Sequence, residues 1–404
     1  MSATVAIVGS GPSGCYLAQA LRKLLPEAEL TVIDRLPVPY GLVRYGVAPD
    51  HQGTKAVTRQ FARLFERDGV EFIGNVHVGS DVSLAELEEM FDAVVLATGL
   101  SADRPLAAFE GVGGVYGSGD VTRAWNGHPD DAKAGFAFGE AVVVVGNGNV
   151  AMDVVRLLAK DAGEFEGSDI TGDMLGGTVR QIHLLGRSGA EAAKFDATMV
   201  RELGKIEGLA IDMAQPLPEG EAKVLADLHA LNGKAGDGKR LTFHFNTAPV
   251  GPVMKDGRLA GVTCRRDGDE VTLACDSVVT AIGFDARDVA WRDALLARAI
   301  DVGQGRLTER LYATGWFRRG PTGTIADNRG DAKLVAAAIA GHLQPGGRPG
   351  RLALQQKIGH QTTSYRDWQR IDEWERNSAP PNRVRAKMTS KAEMLALCAE
   401  GLSE

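Results

Sequence analysis

A chain of 404 residues is too long for one hydrophobic core and suits two or three domains. With 44% hydrophobic and 24% charged residues, and no apolar run near the roughly 20 residues that cross a bilayer, the composition is that of a globular protein, not a membrane or disordered one. The net charge of −7 gives no global attraction for nucleic acid or anionic lipid.

The amino terminus enters an apolar strand within a few residues, which leaves no room for a targeting peptide and makes the cytoplasm the expected location. A β-branched run over residues 4–8 reads as a buried parallel strand. Gly9-Ser10-Gly11-Pro12-Ser13-Gly14 follows, then helical apolar spacing over 15–25 and a second strand over 30–33 that ends at Asp34. Further strands are expected at 70–73 and 93–97, the latter closed by Thr98-Gly99, a turn where a strand ends beneath something bulky.

The pattern restarts at 141–145, followed by Gly146-Asn147-Gly148-Asn149-Val150-Ala151 and a helix over 152–159. Residues 163–177 are polar and glycine-rich and read as a surface excursion. A strand over 179–185 then ends at Gly186-Arg187-Ser188. Strands at 241–246, 262–265, 271–274 and 277–282, an exposed turn at 232–240 and a helix over 331–343 complete the readable part. The charged, tryptophan-rich tail from Arg351 has no readable fold. The two glycine fingerprints are an internal repeat, and they decide the architecture.

The first fingerprint meets the physical demands of a pyrophosphate cradle. Gly9 permits a tight turn, Gly11 lets backbone touch the phosphates, and Gly14 allows close packing of helix on strand. Pro12 and Ser13 open a helix whose N–H groups and dipole favour an anion. Asp34 stands 20 residues past Gly14, where an acid reaches ribose hydroxyls. The second fingerprint (Gly146, Gly148, Ala151, with Asn147, Asn149 and Val150 between) ends in alanine, a pattern frequent with NADP. Arg187, with no acid beside it, suits a 2′-phosphate, and Arg104 is expected to add charge from the first domain. Which cradle takes which dinucleotide is open on these residues alone.

Three ordered blocks carry a resemblance: Asp34 through His51, Gly146 through Val154, and Gly315-Trp316-Phe317-Arg318-Arg319-Gly320-Pro321-Thr322-Gly323-Thr324-Ile325. Together they resemble the adrenodoxin reductase family of ferredoxin–NADP⁺ reductases. The resemblance implies an α/β protein of two Rossmann-like dinucleotide-binding domains, in a glutathione-reductase-like arrangement without a dimerisation domain. It implies FAD in a discontinuous domain of residues 1–104 and 309–404, and NADPH in an inserted domain of residues 105–308. Arg35, Gly41, Leu42 and Val47 then join Asp34 as cofactor-binding residues. Gly315-Trp316 and Gly323-Thr324-Ile325 approach the flavin ring, and Trp316 and Gly323 border the nicotinamide. His51 lies near the flavin with Glu202 as its acidic partner, and Asp153 matches an aspartate implicated in communication between cofactor and partner domains. The family places two adjacent arginines for the 2′-phosphate. Here the pair is Arg187-Ser188, so some use of NADH beside NADPH is expected.

The expected activity follows from the cofactors, which move a hydride from NADPH to FAD and single electrons onward. His51 and Glu202 would manage protons at most. The implied partner is an acidic ferredoxin that passes electrons on to a monooxygenase or similar acceptor, with this chain acting as a monomer. Docking candidates are Arg201, Lys205, Lys239 and Arg240, with Arg318, Arg319, Arg329 and the basic stretch 383–391 as alternatives.

Four cysteines, Cys15, Cys264, Cys275 and Cys398, form no C-x-x-C pair. A disulfide reductase, an iron–sulfur cluster and a zinc site all lack their usual ligands, so each thiol is expected to be a small buried group and no metal is expected. A glutamate-synthase-type electron-transfer subunit would need an amino-terminal iron–sulfur domain. An FAD-dependent monooxygenase, another NAD(P)H oxidoreductase with a non-ferredoxin acceptor, and a non-enzymatic dinucleotide-binding scaffold are the alternatives.

Overall fold

The structure, a computed structural model, describes residues 2–131, 135–170, 175 and 178–400. Contacts divide the chain into two units, Met1–Val47 with His51–Ala102 and Phe284–Glu404, and Ala48–Asp50 with Asp103–Gly283.

The first unit is built on a five-stranded parallel sheet, in the order Leu311–Ala313, Ala93–Leu96, Thr4–Val8, Glu29–Ile33, Glu71–Ile73. Thr4–Val8 is buried along its whole length, as a central parallel strand covered on both faces must be. One face packs against helices Pro12–Leu24 and Asn328–His342, whose Leu17, Leu21, Val335 and Ile339 are fully buried. The other carries Val8, Leu96, Leu311 and Phe317, with Leu295, Leu296 and Ala299 packed against them. That packing explains why the chain rejoins this unit at Phe284, ahead of the residue 309 expected from sequence.

The tail folds onto this unit as helices Arg351–Lys357, Tyr365–Asn377 and Lys391–Glu400. Trp368, Ile371, Met388, Met394 and Cys398 enter the first core. Glu375 has a side chain 0% exposed and pairs with Arg44, itself 4% exposed. Glu375 also accepts from Met388 N at 2.9 Å and from Arg385 at 3.1 Å. A buried carboxylate is tolerated only when its oxygens are met in this way.

The second unit holds a six-stranded parallel sheet, in the order Val115–Gly117, Ser277–Thr280, Ala141–Val145, Gln181–Leu185, Arg240–His244, Ala210–Met213. An antiparallel meander, Thr247–Lys255, Arg258–Arg266 and Asp269–Ala274, lies on one face, with Leu259, Val262 and Cys264 against Val143, Val145 and Leu185. Strand Thr247–Lys255 was not expected. Pro249, Gly251 and Pro252 break its alternation, and the register shifts at Pro249/Gly251; prolines survive there because it is an edge strand. The expected surface excursion at 163–177 needs correction where it is described. Phe165 and Ile170 are 1% and 0% exposed and belong to the second core; residues 171–174, 176 and 177 lie outside the described residues.

Candidate functional site

In the first unit the turn after strand Thr4–Val8 is made by Gly9 at φ +111, where a Cβ would meet Ala97 O at 2.5 Å. Gly14 is equally constrained, since its Cβ would lie 2.0 Å from Gly9 O. Gly11 differs. Its φ of −71 suits any residue, and a Cβ there meets nothing within 4 Å. The fold does not require glycine at this position; a ligand pressed against the backbone would. Asp34 accepts at Oδ2 from Ser10 N (2.9 Å) and Ser10 Oγ, and at Oδ1 from Leu36 N (3.0 Å). It thereby braces the glycine turn, and a carboxylate keeps spare lone pairs for a hydroxyl.

A cavity of about 630 Å³ opens at the carboxyl ends of these strands, lined by Gly9, Asp34, Arg35, Thr98 and Gly99. That is where open parallel sheets bind ligands. Val76, His77, Arg287, Trp291 and Phe317 are also part of its wall. Val76, His77, Arg287 and Trp291 escaped sequence reading, because only the crossovers bring them to the sheet end. The 40–47 block closes on the same turn: Tyr40 N donates to Ser10 O (3.1 Å), Val47 N donates to Leu42 O, and a Cβ on Gly41 would lie 3.2 Å from Gly11 Cα.

Gly315 comes to the same helix start. Its φ is +67, and any side chain would strike Ser13 Oγ at 1.9 Å. Asp331 holds it there, accepting from Thr314 Oγ1 (2.7 Å) and Gly315 N (2.5 Å). Asp331 also pairs with Arg318 and, at 3.3 Å, Arg319. These two arginines, alternatives for a docking face, are turned inward to a carboxylate 2% exposed. Trp316 stacks on Phe284 at 5.8 Å and donates from Nε1 to Thr322 O. Thr324 N and Oγ1 both donate to Asp327, a Cβ on Gly323 would meet that same carboxylate, and Ile325 packs on the first core.

The second unit repeats the cradle. Gly146 (φ +146) could not take a Cβ, which would lie 2.3 Å from Ala281 O, whereas Gly148 (φ −125) has open space for one. Gly148 is the N-cap of helix Asn149–Ala159, so Asn149, Val150 and Ala151 form its first turn. Both polar atoms of the Asn147 amide are buried with no hydrogen-bond partner among the described residues. An orphaned amide costs about 1–3 kcal/mol unless something binds it, and a nucleotide phosphate is a fitting acceptor. Asn149 is tied to Asp196 by two hydrogen bonds of 2.9 Å. Arg187 is exposed, with no ion-pair partner among the described residues, and Ser188 O accepts from Asn246 N. Arg104 falls in the second unit, not the first, with its N–H bonded to Gly283 O. Lys194, which sequence reading missed, is exposed and donates its N–H to Asn147 O.

Asp153 and Glu202 both bond to Arg156 Nη1, at 2.7 and 3.3 Å. Arg156 also grips Asp50 (2.8 Å), which takes Lys160 as well. Burial raises the Asp50 pKa, but the hydrogen bonds and charges of Arg156 and Lys160 outweigh it and hold the carboxyl well below its usual range. A depressed carboxyl stabilises the fold above its unfolded value near 3.8, and that contribution is lost only as acid reaches the folded value. His51 lies in the first unit, where its carbonyl starts helix Gln52–Lys55.

Three comparisons bear on this chain. Residues 3–185 match the family described as pyridine nucleotide-disulphide oxidoreductase. A cindoxin reductase of Citrobacter braakii is 44% identical over 97% of this chain and 90% of its own length. A mitochondrial NADPH:adrenodoxin oxidoreductase of Arabidopsis thaliana is 31% identical over 98% and 95%. The chain belongs to the adrenodoxin reductase family. Among solved structures, Mycobacterium tuberculosis FprA in complex with NADPH superposes with a TM-score of 0.90 at 27% identity, covering 99% of this chain and 100% of that one. The wider family's name refers to disulfides, but this adrenodoxin reductase relative has four free and buried cysteines. Burial pushes the Cys264 and Cys398 thiols up to about 11 and the Cys275 thiol to about 12, so none is a ready thiolate.

Its expected docking cations are largely neutralised: Arg201 by Asp227, Arg240 by Asp212 and Lys239 by Asp161. Arg329 lies over the Tyr16 ring. In the stretch 383–391, Arg385 turns to Glu375 and Lys387 to Arg44 O. Lys205 remains exposed. No helix of the described residues is long and apolar enough to cross a membrane.

Proposed function

We propose that the chain is an NADPH-dependent flavoprotein reductase that delivers single electrons to a ferredoxin-type iron–sulfur protein. The observation that supports it most is the pair of glycine cradles, each with one glycine the fold itself does not need (Gly11, Gly148). The relatives' names, which specify reductases of cindoxin and adrenodoxin, support the direction of electron flow. When bound, FAD supplies the redox chemistry, accepting two electrons from NADPH and releasing them one at a time.

The chain's own task is binding and placement. Gly9, Gly11, Pro12, Ser13 and Gly14 would hold the FAD pyrophosphate, with Asp34 and Arg35 at its ribose end. Gly41, Leu42, Val47, Thr98, Gly99, Gly315, Trp316, Gly323, Thr324 and Ile325 would enclose the rest of FAD, with Trp316 and Gly323 also facing the nicotinamide. Gly146 through Ala151 would hold the NADPH pyrophosphate, and Arg187 and Ser188 its 2′-phosphate. His51 and Glu202 would manage protons near the flavin at most, and Asp153, bonded like Glu202 to Arg156, would serve communication between the cofactor and partner domains. The partner is taken to be acidic and soluble, feeding a monooxygenase or similar acceptor, and the enzyme a cytoplasmic monomer.

The test is direct. Purified protein should be yellow and bleach within seconds when NADPH is added without oxygen, and it should then reduce cytochrome c only when a ferredoxin is present. No bleaching with NADPH or NADH would refute the reductase assignment. Hydroxylation of a substrate with no carrier protein would favour a monooxygenase instead. Arg187→Ala should raise the KM for NADPH by roughly tenfold or more, the worth of one charge-assisted pair at 1.5–3 kcal/mol, and leave that for NADH nearly unmoved. An equal rise for both would show that Arg187 does not read the 2′-phosphate.

A further inference from the structure

The loop Gly186-Arg187-Ser188 offers one full positive charge, whereas a phosphomonoester carries about −1.5 to −2 near neutral pH. A second cation stands close behind it. Gly186 N donates to His244 O (2.9 Å), Thr247 N donates to Gly186 O (2.9 Å), and Asn246 N donates to Ser188 O (3.1 Å). Thr247 is in turn the cross-strand partner of Arg266, at the end of strand Arg258–Arg266. Neighbouring strands lie about 4.8 Å apart, so the Arg266 backbone is roughly 10 Å from Gly186. An arginine side chain and a phosphate together span that gap.

The guanidinium is held at the carboxyl end of strand Arg240–His244. Arg266 Nη2 lies 2.6 Å from His244 Nδ1, and Nε lies 3.4 Å from Thr247 Oγ1. His244 Nε2 lies 3.0 Å from His183 Nδ1. Burial, reinforced by His183 and Arg266, pushes His244 down to about 3, so the ring is neutral at physiological pH. A neutral ring that accepts at Nδ1 carries its proton on Nε2 and donates it to His183. The chain therefore runs one way, Arg266 to His244 to His183. It fixes the guanidinium without cancelling its charge, as a carboxylate would.

That is unlike four other cations of this unit. Arg156, Arg201, Lys239 and Arg240 each face an acid. Neither Arg187 nor Arg266 has an ion-pair partner among the described residues. Two uncompensated guanidinium groups at one loop are repulsive unless an anion sits between them.

We propose that Arg266, presented by His244 and His183, supplies the second positive charge for the 2′-phosphate of NADPH and so sets the preference over NADH. The assignment rests on the NADPH reading above. His244 and His183 are positioning residues that act through Arg266.

Calorimetric titration of the flavin-loaded protein with 2′,5′-ADP and with 5′-AMP tests it without turnover. Arg266→Ala should weaken 2′,5′-ADP about tenfold or more and leave 5′-AMP within about twofold. Arg266→Lys should restore part of the loss. Arg266→Gln keeps a donor for His244 but not the charge, and should bind like the alanine variant. In turnover the KM for NADPH should rise while kcat at saturation holds. Unchanged 2′,5′-ADP affinity in Arg266→Ala, or equal weakening of both ligands, would overturn the proposal. If the parent protein itself does not prefer 2′,5′-ADP and Arg187→Ala changes nothing, the NADPH reading falls first and this proposal with it.

Discussion

Gly11→Ala is expected to give a folded protein that purifies colourless. The backbone there is extended and tolerates alanine, and the new methyl meets nothing within 4 Å. Alanine is a poorer N-cap than glycine for helix Pro12–Leu24, a cost of about 1 kcal/mol or less. The unfolding midpoint of the apoprotein should therefore scarcely move. The pyrophosphate, however, must lie against this backbone to reach the helix N–H groups. Displacing it forfeits at least two hydrogen bonds to charged oxygens, each worth roughly 1.5–3 kcal/mol. Flavin affinity should fall by about 100-fold or more, read as visible absorbance per protein after gel filtration. A variant that keeps its full complement of flavin would show that nothing approaches Gly11. Gly9→Ala and Gly14→Ala are less informative, because their new atoms strike backbone and disturb the fold itself.

The mirror experiment has the opposite outcome. Gly148→Ala sits at φ −125 and ψ 177 with the same open space, so the second unit should fold as before and the protein should stay yellow. What it should lose is reduction by NADPH, with half-maximal bleaching needing on the order of 100-fold more NADPH. Here too the lost contacts are between phosphate oxygens and the amino end of a helix, Asn149–Ala159. The two variants together decide which cradle takes which dinucleotide. If Gly148→Ala lost the flavin and Gly11→Ala kept it, the assignment of FAD to the first unit would be reversed.

The cradles were legible because their requirements are local. A tight turn between a buried strand and a helix needs glycine at fixed spacing within six residues, whatever the rest of the chain does. The exclusion of disulfide chemistry was legible for a similar reason, since paired cysteines must be close in sequence in that motif, and all four thiols are buried and free. The tail was not legible. Its charge and tryptophan make sense only once Arg44 meets Glu375 and the Arg44 guanidinium stacks on Trp368. Strand Thr247–Lys255 was missed because its prolines are allowed only by an edge position, and edge positions are a property of the sheet.

From its amino acids alone the chain determines two dinucleotide folds and their glycine turns, and it carries no C-x-x-C pair. Tertiary structure alone decided that Asp331 holds Gly315 against Ser13, that Arg318 and Arg319 face inward, and that Arg266 is tied to His244 and through it to His183. The reason is distance along the chain. Conformational demands act over a few residues and leave a mark in the sequence, whereas a charge finds its partner through strand order and crossovers that no short window of sequence contains.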